Sequence, residues 1–542
     1  MNSLIKSATI IDKKSEFHNS KVDILIENNI ITNIDKKLSN PKNYPEISLN
    51  NLHVSKGWFD YSVCFGEPGY EERETILNGI KVAAKSGFTT VGLQPNTCPI
   101  IEKNTEIEYL NSLTKNSVVN VFPIGALTKK SAGDELTEIL DMKNSGAIAF
   151  NDYKKPVSNP NVLKLALEYT STSKTPIFSF PQNDKIAQDG VMNEGLISTS
   201  LGLDGIPSMA EEINVARDLS ILEYTEGYLH IPTISSAKSV ELIRKAKARK
   251  LNISCSVAIH NLFFLDEKIQ NFETNFKVKP PLRTSDDVNA LIAGLKDGTI
   301  DMITSDHNPL NIELKNLEFD NADYGTIGLE SAFGALNMLF PIKTTINLLT
   351  RGKKIFGIDD DSIKIGETAN LTLFNPHSEY VFGEENILSK SKNSIFIGSK
   401  LKGKVFGVIN NGFIETLSEY WPITKITEES LNRVLNNDNY IFVVEEDDKI
   451  VGSIILHLQY KFIHDGGIVG YIDELIMRKK YRNKLTGLKL LKQVIEKAEE
   501  LGCYKILGYC YDAPVSLAKR AGLEVFNQYL MGKAFKETKK VE

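Results

Sequence analysis

From about residue 57 to residue 350, short apolar runs alternate with stretches of helical periodicity. The apolar runs include Thr89–Gln94, Val119–Ile124, Tyr228–Pro232 and Met302–Ser305, and the stretch Ile76–Ser86 is a predicted helix. Short buried strands that each lead into an amphipathic helix indicate parallel βα units. Repeated along this length of chain, the pattern predicts a (β/α)8 TIM barrel.

The segments before and after this region have strand character instead. Short apolar alternations separated by Asn, Asp and Lys turns occupy the first 50 residues, and strand patterns return at Ala369–Phe374 and Gly403–Ile409. From about Tyr420, strands and helices alternate in a further unit of common domain size. The predicted boundaries are 1–55 and 366–418 for the two flanking β segments, 56–365 for the barrel and 419–542 for the C-terminal unit.

The composition excludes several classes of partner. The 542 residues carry a net charge of −6 and are 42% apolar, as in a globular protein. The chain has no polybasic cluster and no apolar run of the ~18 residues that cross a bilayer, so we predict no nucleic-acid partner and no membrane partner. Five cysteines without a C-x-x-C pair, and an N-terminus without a signal peptide's apolar segment, predict a cytoplasmic protein with reduced thiols. We also expect a homo-oligomer.

One segment of the predicted barrel carries a recognisable motif. Residues 57–69 read G-W-F-D-Y-S-V-C-F-G-E-P-G, which resembles the dihydroorotase signature D-x-H-x-H-x-R-E-P-G of the amidohydrolase superfamily. Asp60 and the E-P-G at 67–69 match, whereas Ser62 and Cys64 replace two metal-binding histidines and Gly66 replaces a substrate-binding arginine. The resemblance covers about residues 1–416 and implies that the two flanking β segments pair into one small β-sandwich.

The same resemblance locates the other metal positions. Dihydroorotases interconvert carbamoyl-aspartate and dihydroorotate with zinc-bound hydroxide and a proton-carrying aspartate. Asp306 in T-S-D-H-N-P-L stands at that catalytic aspartate, and Asp152 in G-A-I-A-F-N-D at a metal-bridging one. Phe180 and Thr233 replace the third and fourth histidines. Because a zinc site needs three or four N, S or O ligands, no barrel zinc is expected, and Asp152 and Asp306 are vestigial.

Three further residues match substrate-binding positions of the family. They are Asn96 in Q-P-N-T, His307 after the catalytic aspartate, and Lys279 in F-K-V-K-P-P-L-R, where the family has an asparagine.

Alternatives for the centre of the barrel stay open. Asp306 caps a loop or pairs with a cation, Cys64 is a small buried apolar residue, and the histidines pack in the core. Alternatively, Cys64, Asp152, His230 and Asp306 form a different metal site.

The C-terminal unit resembles a second family. K-F-I-H at 461–464 and C-Y-K-I at 503–506 are similar to GNAT acetyltransferases, specifically to the glucosamine-6-phosphate N-acetyltransferase branch, and imply an α+β GNAT domain. In that family a strand holds the pantetheine arm of acetyl-CoA, and a loop before a helix cradles the pyrophosphate. However, Pro514 and Ala518 replace the asparagine and tyrosine that serve acetyl transfer. The cofactor-binding residues so implied are Leu475, Met477, Arg482, Lys484, Gly487 and Leu488.

These observations support three hypotheses. We expect a dihydroorotase-like protein of pyrimidine biosynthesis that is catalytically impaired and serves as a non-catalytic partner of aspartate carbamoyltransferase. The first alternative is an active dihydroorotase, a cyclic amide hydrolase with an atypical metal centre. The second is an acetyl-CoA-dependent N-acetyltransferase.

Overall fold

The computed structural model describes residues 2–360, 362–416, 439–446, 449–460, 467–477, 486–509, 519–526 and 530–534. The chain divides into two compact units, Met1–Pro422 and Ile423–Glu542, and each is described by itself. The predicted boundary at 419 falls within residues 417–438, which lie outside the described residues. None of the described helices is both long and apolar enough to cross a bilayer.

The first unit contains a barrel and a flanking sheet. In chain order its strands are β1 (Ser3–Ile10), β2 (Lys21–Glu27), β3 (Ile30–Asp35), β4 (Glu46–Ile47), β5 (His53–Lys56), β6 (Trp58–Val63), β7 (Phe88–Leu93), β8 (Asn120–Pro123), β9 (Ile177–Phe178), β10 (Met192–Asn193), β11 (Gly205–Ile206), β12 (Leu229–Ile231), β13 (Ile253–Ala258), β14 (Met302–Thr304), β15 (Leu371–Val381), β16 (Lys400–Asn410) and β17 (Phe413–Thr416). Its α-helices are α1 (Ile76–Lys85), α2 (Asn104–Thr114), α3 (Ile139–Asn144), α4 (Pro160–Thr170), α5 (Asp184–Ala187), α6 (Leu196–Leu201), α7 (Met209–Thr225), α8 (Ala237–Ala248), α9 (His260–Phe263), α10 (Ser285–Asp297), α11 (Ile312–Lys315), α12 (Leu329–Leu339) and α13 (Ile342–Thr350).

Parallel segments close into a ring. β6, β7 and β8 form one parallel sheet, and β9, β12, β13 and β14 form another. The chain around Phe150 joins them on one side, because Phe150 bridges both Gly125 and Ile177. On the other side, a parallel bridge between Val63 and His307 joins β6 to the end of β14. The eight segments therefore form the predicted (β/α)8 barrel.

Local sequence explains how the helices of this ring begin and pack. In α1, the Thr75 hydroxyl accepts the Asn78 backbone N–H and so caps the helix. Ile76, Ile80 and Ala83 recur at helical spacing and are buried in the core between strands and helices. A separate cluster that includes Phe59, Tyr61, Phe178 and Met302 fills the barrel interior. The barrel is therefore packed, and its site can lie only at a strand end.

The flanking β segments form one eight-stranded sheet, in which β5 pairs with β1 on one side and with β15 on the other. The sheet bends around its own apolar core, which includes Ile5, Ile24, Leu373 and Phe406. It closes on itself where the Ile31 N–H donates to the Glu367 carbonyl. The predicted pairing of the two flanking segments is therefore confirmed, in the form of one eight-stranded sheet.

The second unit is described in part and forms a mostly antiparallel sheet with one described helix. The elements are β18 (Asn439–Glu446), β19 (Lys449–Tyr460), β20 (Ile468–Met477), α14 (Thr486–Glu500), β21 (Cys503–Tyr509), β22 (Glu524–Phe526) and β23 (Leu530–Ala534). The sheet order is β18-β19-β20-β21-β23-β22, and among these described strands only β20 and β21 run parallel. α14 packs on the sheet through Leu490, Val494 and Ala498, at spacings of four residues.

Candidate functional site

The site lies where the barrel strands end, at the carboxyl side. We call the side chains at this place the barrel centre: Ser62, Cys64, Tyr153, Lys154, Phe180, Thr233 and Asp306. Most of them are nearly inaccessible to water.

The barrel centre contains a salt bridge between Lys154 and Asp306. The Lys154 ammonium is 2.6 Å from an Asp306 carboxylate oxygen, and both side chains are largely buried. The other carboxylate oxygen accepts a long 3.5 Å hydrogen bond from the Ser62 hydroxyl. Burial raises the pKa of Asp306, and the charge of Lys154 acts against that rise. Of the two alternatives for Asp306, the structure selects pairing with a cation, and the cation belongs to the chain itself.

Asp60 forms hydrogen bonds with the two residues that precede Asp306. Its carboxylate accepts hydrogen bonds from the Thr304 hydroxyl at 2.6 Å and from the Ser305 N–H at 2.7 Å, and also from the Ser62 N–H. Asp306 itself has a φ of 51°, in the left-handed region that non-glycine residues rarely adopt. Such backbone costs of order 1–3 kcal/mol and concentrates at functional sites. Asp306 is therefore held in a backbone conformation that its surroundings stabilise.

Cys64 is a buried thiol. Burial raises the pKa of this thiol to about 12, so the thiol is protonated at neutral pH when no cation is bound to it. The side chains of Tyr153 and Asn96 lie beside it. Cys64 is thus the small buried residue of the alternative interpretation, and the Asn96 side chain lies beside it.

Asp152 lies elsewhere than its motif implied. Its carboxylate accepts hydrogen bonds from the N–H groups of Leu127 and Thr128, at 3.0 and 2.9 Å, and from the Thr128 hydroxyl. It therefore holds the loop after β8, and the following residues, Tyr153 and Lys154, reach the barrel centre instead.

His230 is also outside the barrel centre. Its ring nitrogens contact the hydroxyls of Ser254 and Ser256, and its ring packs 4.5 Å from that of Phe178 inside the barrel. The alternative metal site of Cys64, Asp152, His230 and Asp306 is therefore wrong. Throughout the described part of the chain, no three His, Cys, Asp or Glu side chains converge to hold an ion.

Phe180 and Thr233 occupy strand ends as expected for replaced histidines. Phe180 is buried, with its ring centre 5.5 Å from the Lys279 ammonium. Thr233 has a φ of 50°, unusual for a β-branched residue, and its N–H donates to the Ser256 hydroxyl. Neither side chain is a metal ligand of the expected kind.

Lys279 is half-buried between aromatic rings. Its ammonium lies 5.5 Å from the Phe180 ring centre and 6.0 Å from that of Tyr324, and it has no hydrogen-bond acceptor among the described residues. Burial lowers the pKa of Lys279, the charge of Asp184 opposes this, and the charge of Lys154 adds to it. The structure thus places a cation beside the barrel centre that is available to an anionic group.

Two buried histidines have ring nitrogens without partners. His307 Nδ1 accepts the backbone N–H groups of Gly328 and Leu329, so its proton is on Nε2, which has no acceptor in the described chain. Neither ring nitrogen of His260 has a described partner. Burial lowers the pKa of each histidine to about 3, and the charge of Lys154 contributes at His260. Both rings are therefore neutral at physiological pH.

Sequence reasoning missed Lys154, the residue that decides the charge of this site. A signal existed: four neutral replacements leave a buried Asp306 that needs a cation, because buried charges are paired. The lysine follows the motif that carries Asp152 and Tyr153 by one position.

The predicted cofactor residues of the second unit are only partly described. Leu475 lies in β20 and packs on the core of that unit, and Met477 ends the strand. Gly487 and Leu488 lie in the first turn of α14. Arg482 and Lys484, like Pro514 and Ala518, lie outside the described residues.

Comparison with known proteins identifies both units. A family model described as Dihydro-orotase-like matches residues 53–239, and one described as Acetyltransferase (GNAT) family matches residues 388–519. A dihydroorotase of Acetivibrio thermocellus is 40% identical over 417 residues, which cover 76% of this chain and 97% of that protein. One of Citrifermentans bemidjiense is 37% identical over 419 residues, covering 76% and 99%. The chain belongs to the dihydroorotase family.

Solved structures agree with this assignment at the level of the fold. The L-hydantoinase (dihydropyrimidinase) of Arthrobacter aurescens superimposes with a TM-score of 0.68 at 18% identity, over 76% of this chain and 95% of that one. The dihydropyrimidinase of Brevibacillus agri gives a TM-score of 0.66 at 18% identity, over 77% and 96%. The GNAT match begins at residue 388, although β16 and β17 pair within the sheet of the first unit.

The zinc that dihydroorotases use does not fit the residues of this barrel centre. The positions of the four histidines hold a hydroxyl, a buried thiol, a phenyl ring and another hydroxyl, and the Asp306 carboxylate is paired with Lys154. A divalent ion would have to displace an ammonium that is already in place. This set of side chains favours an internal cation over a metal.

Proposed function

We propose that this dihydroorotase-family protein hydrolyses dihydroorotate poorly or not at all, and that it acts in pyrimidine biosynthesis as a non-catalytic partner of aspartate carbamoyltransferase. The single observation that carries the proposal is the Lys154–Asp306 salt bridge. Free thiols at Cys64, Cys98 and Cys255 support a cytoplasmic location for this role.

The chemistry supports impairment on two counts. Attack on a cyclic amide needs hydroxide, and metal binding lowers the pKa of water from about 15.7 to about 7. A general base without metal contributes only about 10²–10⁴-fold. Here the candidate base, Asp306, is already held by Lys154, and Ser62 is its only other side-chain partner in the described chain. The barrel centre therefore provides neither a set of metal ligands nor an unpaired general base.

Hydrolysis and metal content test the first half of the proposal. The purified full chain, incubated with zinc and desalted, should retain far less than one equivalent and turn over dihydroorotate at least about 10⁴-fold more slowly than the Acetivibrio thermocellus relative. An Asp306→Asn variant serves as the matched control, because any residual rate that depends on the barrel should fall with it. Stoichiometric zinc together with turnover that Asp306→Asn abolishes would refute impairment.

Co-purification tests the second half. We expect the tagged chain to retain aspartate carbamoyltransferase from the same organism in a defined ratio, and the complex to leave carbamoyl transfer intact. The Lys154→Met variant should bind equally well if the barrel centre plays no part in the contact. Failure of the purified proteins to associate at micromolar concentration would refute the partnership with aspartate carbamoyltransferase. It would not bear on whether the chain hydrolyses dihydroorotate.

A second candidate function rests on the C-terminal unit. The GNAT family match, together with the parallel pairing of β20 and β21, favours acetyl-CoA binding there. This pairing extends only to Ile472, so β20 continues to Met477 without a described neighbour on that side. Calorimetry of the full chain with acetyl-CoA tests this candidate, and a Gly487→Glu variant, which puts a carboxylate at the start of α14, should abolish the heat of binding. Absence of binding at millimolar acetyl-CoA would exclude it.

A further inference from the structure

Lys279 is an amine without an anionic partner beside the barrel centre. Its ammonium has no hydrogen-bond acceptor and no ion-paired carboxylate among the described residues, and it lies 5.5 Å from the Phe180 ring centre and 6.0 Å from that of Tyr324. The dihydroorotase motif that this segment resembles has an asparagine at this position, so the family resemblance does not account for an amine here. Buried charges are ordinarily paired, so a half-buried lysine between two rings needs another explanation.

Two other lysines of the barrel, Lys277 and Lys315, show how a structural lysine is held. Lys277 donates to two backbone carbonyls at 2.8 Å each, and Lys315 donates to two at 2.9 and 3.5 Å. Both residues are buried, whereas Lys279 is only half-buried. Burial lowers the pKa of all three lysines, and that of Lys315 falls to about 7. Accessibility and the lack of hydrogen bonds, and not the pKa, therefore distinguish Lys279 from the other two.

The groups around Lys279 favour its neutral amine form. Burial lowers the pKa of Lys279, the charge of Lys154 adds to this, and the charge of Asp184 on α5 opposes it. Asp306 is already paired with Lys154 at 2.6 Å. The Tyr324 hydroxyl donates to a backbone carbonyl at 2.8 Å, and burial raises its pKa to about 12, so this ring is neutral. A desolvated lysine next to a second cation is the arrangement that makes an amine nucleophilic near neutral pH.

We propose that Lys279 is a covalent binding site for a carbonyl compound, at which its amine forms a Schiff base with a small 2-oxo acid. The Lys279 nitrogen forms a bond to the carbonyl carbon and gives up its two protons, and the carbonyl oxygen takes up both protons and leaves as water. The step consumes no oxidant and no reductant. It is separate from the hydrolysis of a cyclic amide, and it adds a ligand to a barrel for which the proposed function names only a partner protein.

The charges of the site select a carbonyl compound that carries a carboxylate. A protonated Schiff base is a cation, and at a largely desolvated position it needs a counterion. Among the described residues, Asp184 acts on Lys279 through its charge without a hydrogen bond, and Asp306 is occupied by Lys154. In a 2-oxo acid the carboxylate is on the carbon next to the carbonyl, so the ligand supplies the counterion itself. A neutral aldehyde or ketone lacks this group and should bind less well.

Reductive trapping of the full chain tests the proposal. Cyanoborohydride reduces a Schiff base with glyoxylate to a stable secondary amine, and peptide mass mapping then locates the modified lysine. At pH 7, Lys279 should be modified at least about tenfold faster than the exposed Lys81 of α1, and the buried Lys277 and Lys315 should stay unmodified. With acetaldehyde, which has no carboxylate, the preference for Lys279 over Lys81 should be at least about tenfold smaller. Lys279→Met should lose the modification at this position and leave that of Lys81 unchanged.

The pH dependence of trapping gives a second readout, which a merely accessible lysine would not share. Lys154→Met combined with Asp306→Asn removes the neighbouring cation without leaving an unpaired carboxylate. The pH at which Lys279 reaches half of its maximal trapping rate should therefore rise in this double variant. Lys154→Arg keeps the cation, and it should leave that pH unchanged.

Several outcomes would overturn the proposal. Trapping at Lys279 that is no faster than at Lys81 would remove the reactive amine, and faster trapping at Lys277 or Lys315 would move it elsewhere. An equal preference for Lys279 with glyoxylate and acetaldehyde would overturn the assignment to 2-oxo acids. An unchanged pH dependence in the double variant would show that the Lys154 cation does not activate the amine. None of these outcomes depends on hydrolysis of dihydroorotate or on aspartate carbamoyltransferase, so this proposal and the proposed function can fail separately.

Discussion

Two buried polar regions of the same barrel differ in how completely their groups are paired. The framework network, formed by Glu211 and Arg283 with their hydrogen-bond partners, is densely connected. Glu211 accepts the N–H groups of Ser235 and Ser236, and Arg283 donates to the Ser235 hydroxyl at 3.0 Å, among other partners. In the barrel centre, by contrast, the Asp306 carboxylate has one salt bridge and one long side-chain hydrogen bond among the described residues, and two nearby histidines have ring nitrogens without a described partner.

The difference separates what the fold needs from what the chemistry of a hydrolase would need. Buried polar groups in native proteins are nearly always hydrogen-bonded, and leaving one unpaired costs about 1–3 kcal/mol. The framework network meets that rule and fixes the strand ends. His260 and His307 do not meet it, although both are fully buried. The barrel therefore folds around its framework, and its centre tolerates a set of side chains that does not assemble a zinc site.

The largest expected effect comes from breaking the framework. Arg283→Met should destabilise the barrel by about 3–5 kcal/mol, because it strands the charge of Glu211 and leaves the Asn193 side-chain oxygen and the Ile206 carbonyl without their donor. Thermal or chemical denaturation of the first unit measures this. The matched control is Arg244→Met, which removes an exposed arginine paired with Asp297 and should cost less than about 1 kcal/mol. If the two variants lost equal stability, the buried framework network would contribute no more to stability than an exposed ion pair.

The next largest effect comes from the barrel centre. Lys154→Met should destabilise the barrel by about 3 kcal/mol near pH 8, because it leaves the buried Asp306 carboxylate without its cation. Burial raises the pKa of Asp306 and the charge of Lys154 opposes that rise, so removal of Lys154 raises this pKa further and the folded variant takes up a proton at a higher pH than the folded wild type. The deficit should therefore shrink as the pH falls from 8 to 5.

A charge-free pair is the control for this variant. Lys154→Met combined with Asp306→Asn removes both charges and should recover most of the lost stability at pH 8. Denaturation at both pH values measures the difference. A double variant as unstable as Lys154→Met alone would mean that Lys154 stabilises the barrel by packing and not by charge.

The sequence was sufficient for the architecture but not for the charge of the centre. The barrel, its two flanking β segments and the GNAT unit follow from periodicity and from motifs that match over long stretches. Ser62, Cys64, Phe180 and Thr233 could be placed at strand ends because the motifs around them are intact. Successive side chains of an extended chain point to opposite sides, so Ser62 and Cys64, two positions apart, lie on the same side of the chain.

Asp152 shows where motif matching fails. Its motif aligned well, yet its carboxylate turns to the Leu127 and Thr128 N–H groups, and the chain reverses at Tyr153 with a φ of 54°. A left-handed residue shifts which neighbour faces the centre, and side-chain direction of this kind is not encoded in spacing. The partner of Asp306 lies 152 positions away, so only the closed ring brings the two together.

An intermediate effect tests the buried histidines near the centre. Burial lowers the pKa of His307 to about 3, whereas an unfolded histidine titrates near 6.5, so only the unfolded chain binds the proton between these values. The wild type should therefore lose stability through this group as the pH falls below 6.5. His307→Asn keeps an acceptor for the Gly328 and Leu329 N–H groups but has no such proton. Relative to the wild type, the variant should gain about 2 kcal/mol between pH 7 and pH 5.

Denaturation curves of the two proteins at each pH give that difference directly, and the effects of other titrating groups cancel in the comparison. A constant gap between wild type and variant would show that His307 is protonated in the folded barrel. Its Nδ1 would then be unable to accept the two backbone N–H groups, and the hydrogen-bond assignment at the start of α12 would be wrong.

The smallest expected effect concerns the second lysine beside the centre. Lys279→Met should change the stability of the barrel by less than about 1 kcal/mol, because two effects oppose each other. The variant loses a cation–π contact with Phe180, worth about 0.5–1 kcal/mol, but it also relieves the desolvation that lowers the pKa of Lys279. Lys154→Met is the matched comparison, since both variants make the same chemical change in one barrel. A cost at Lys279 as large as that at Lys154 would require an anionic partner for its ammonium, and the two lysines would then be equally structural.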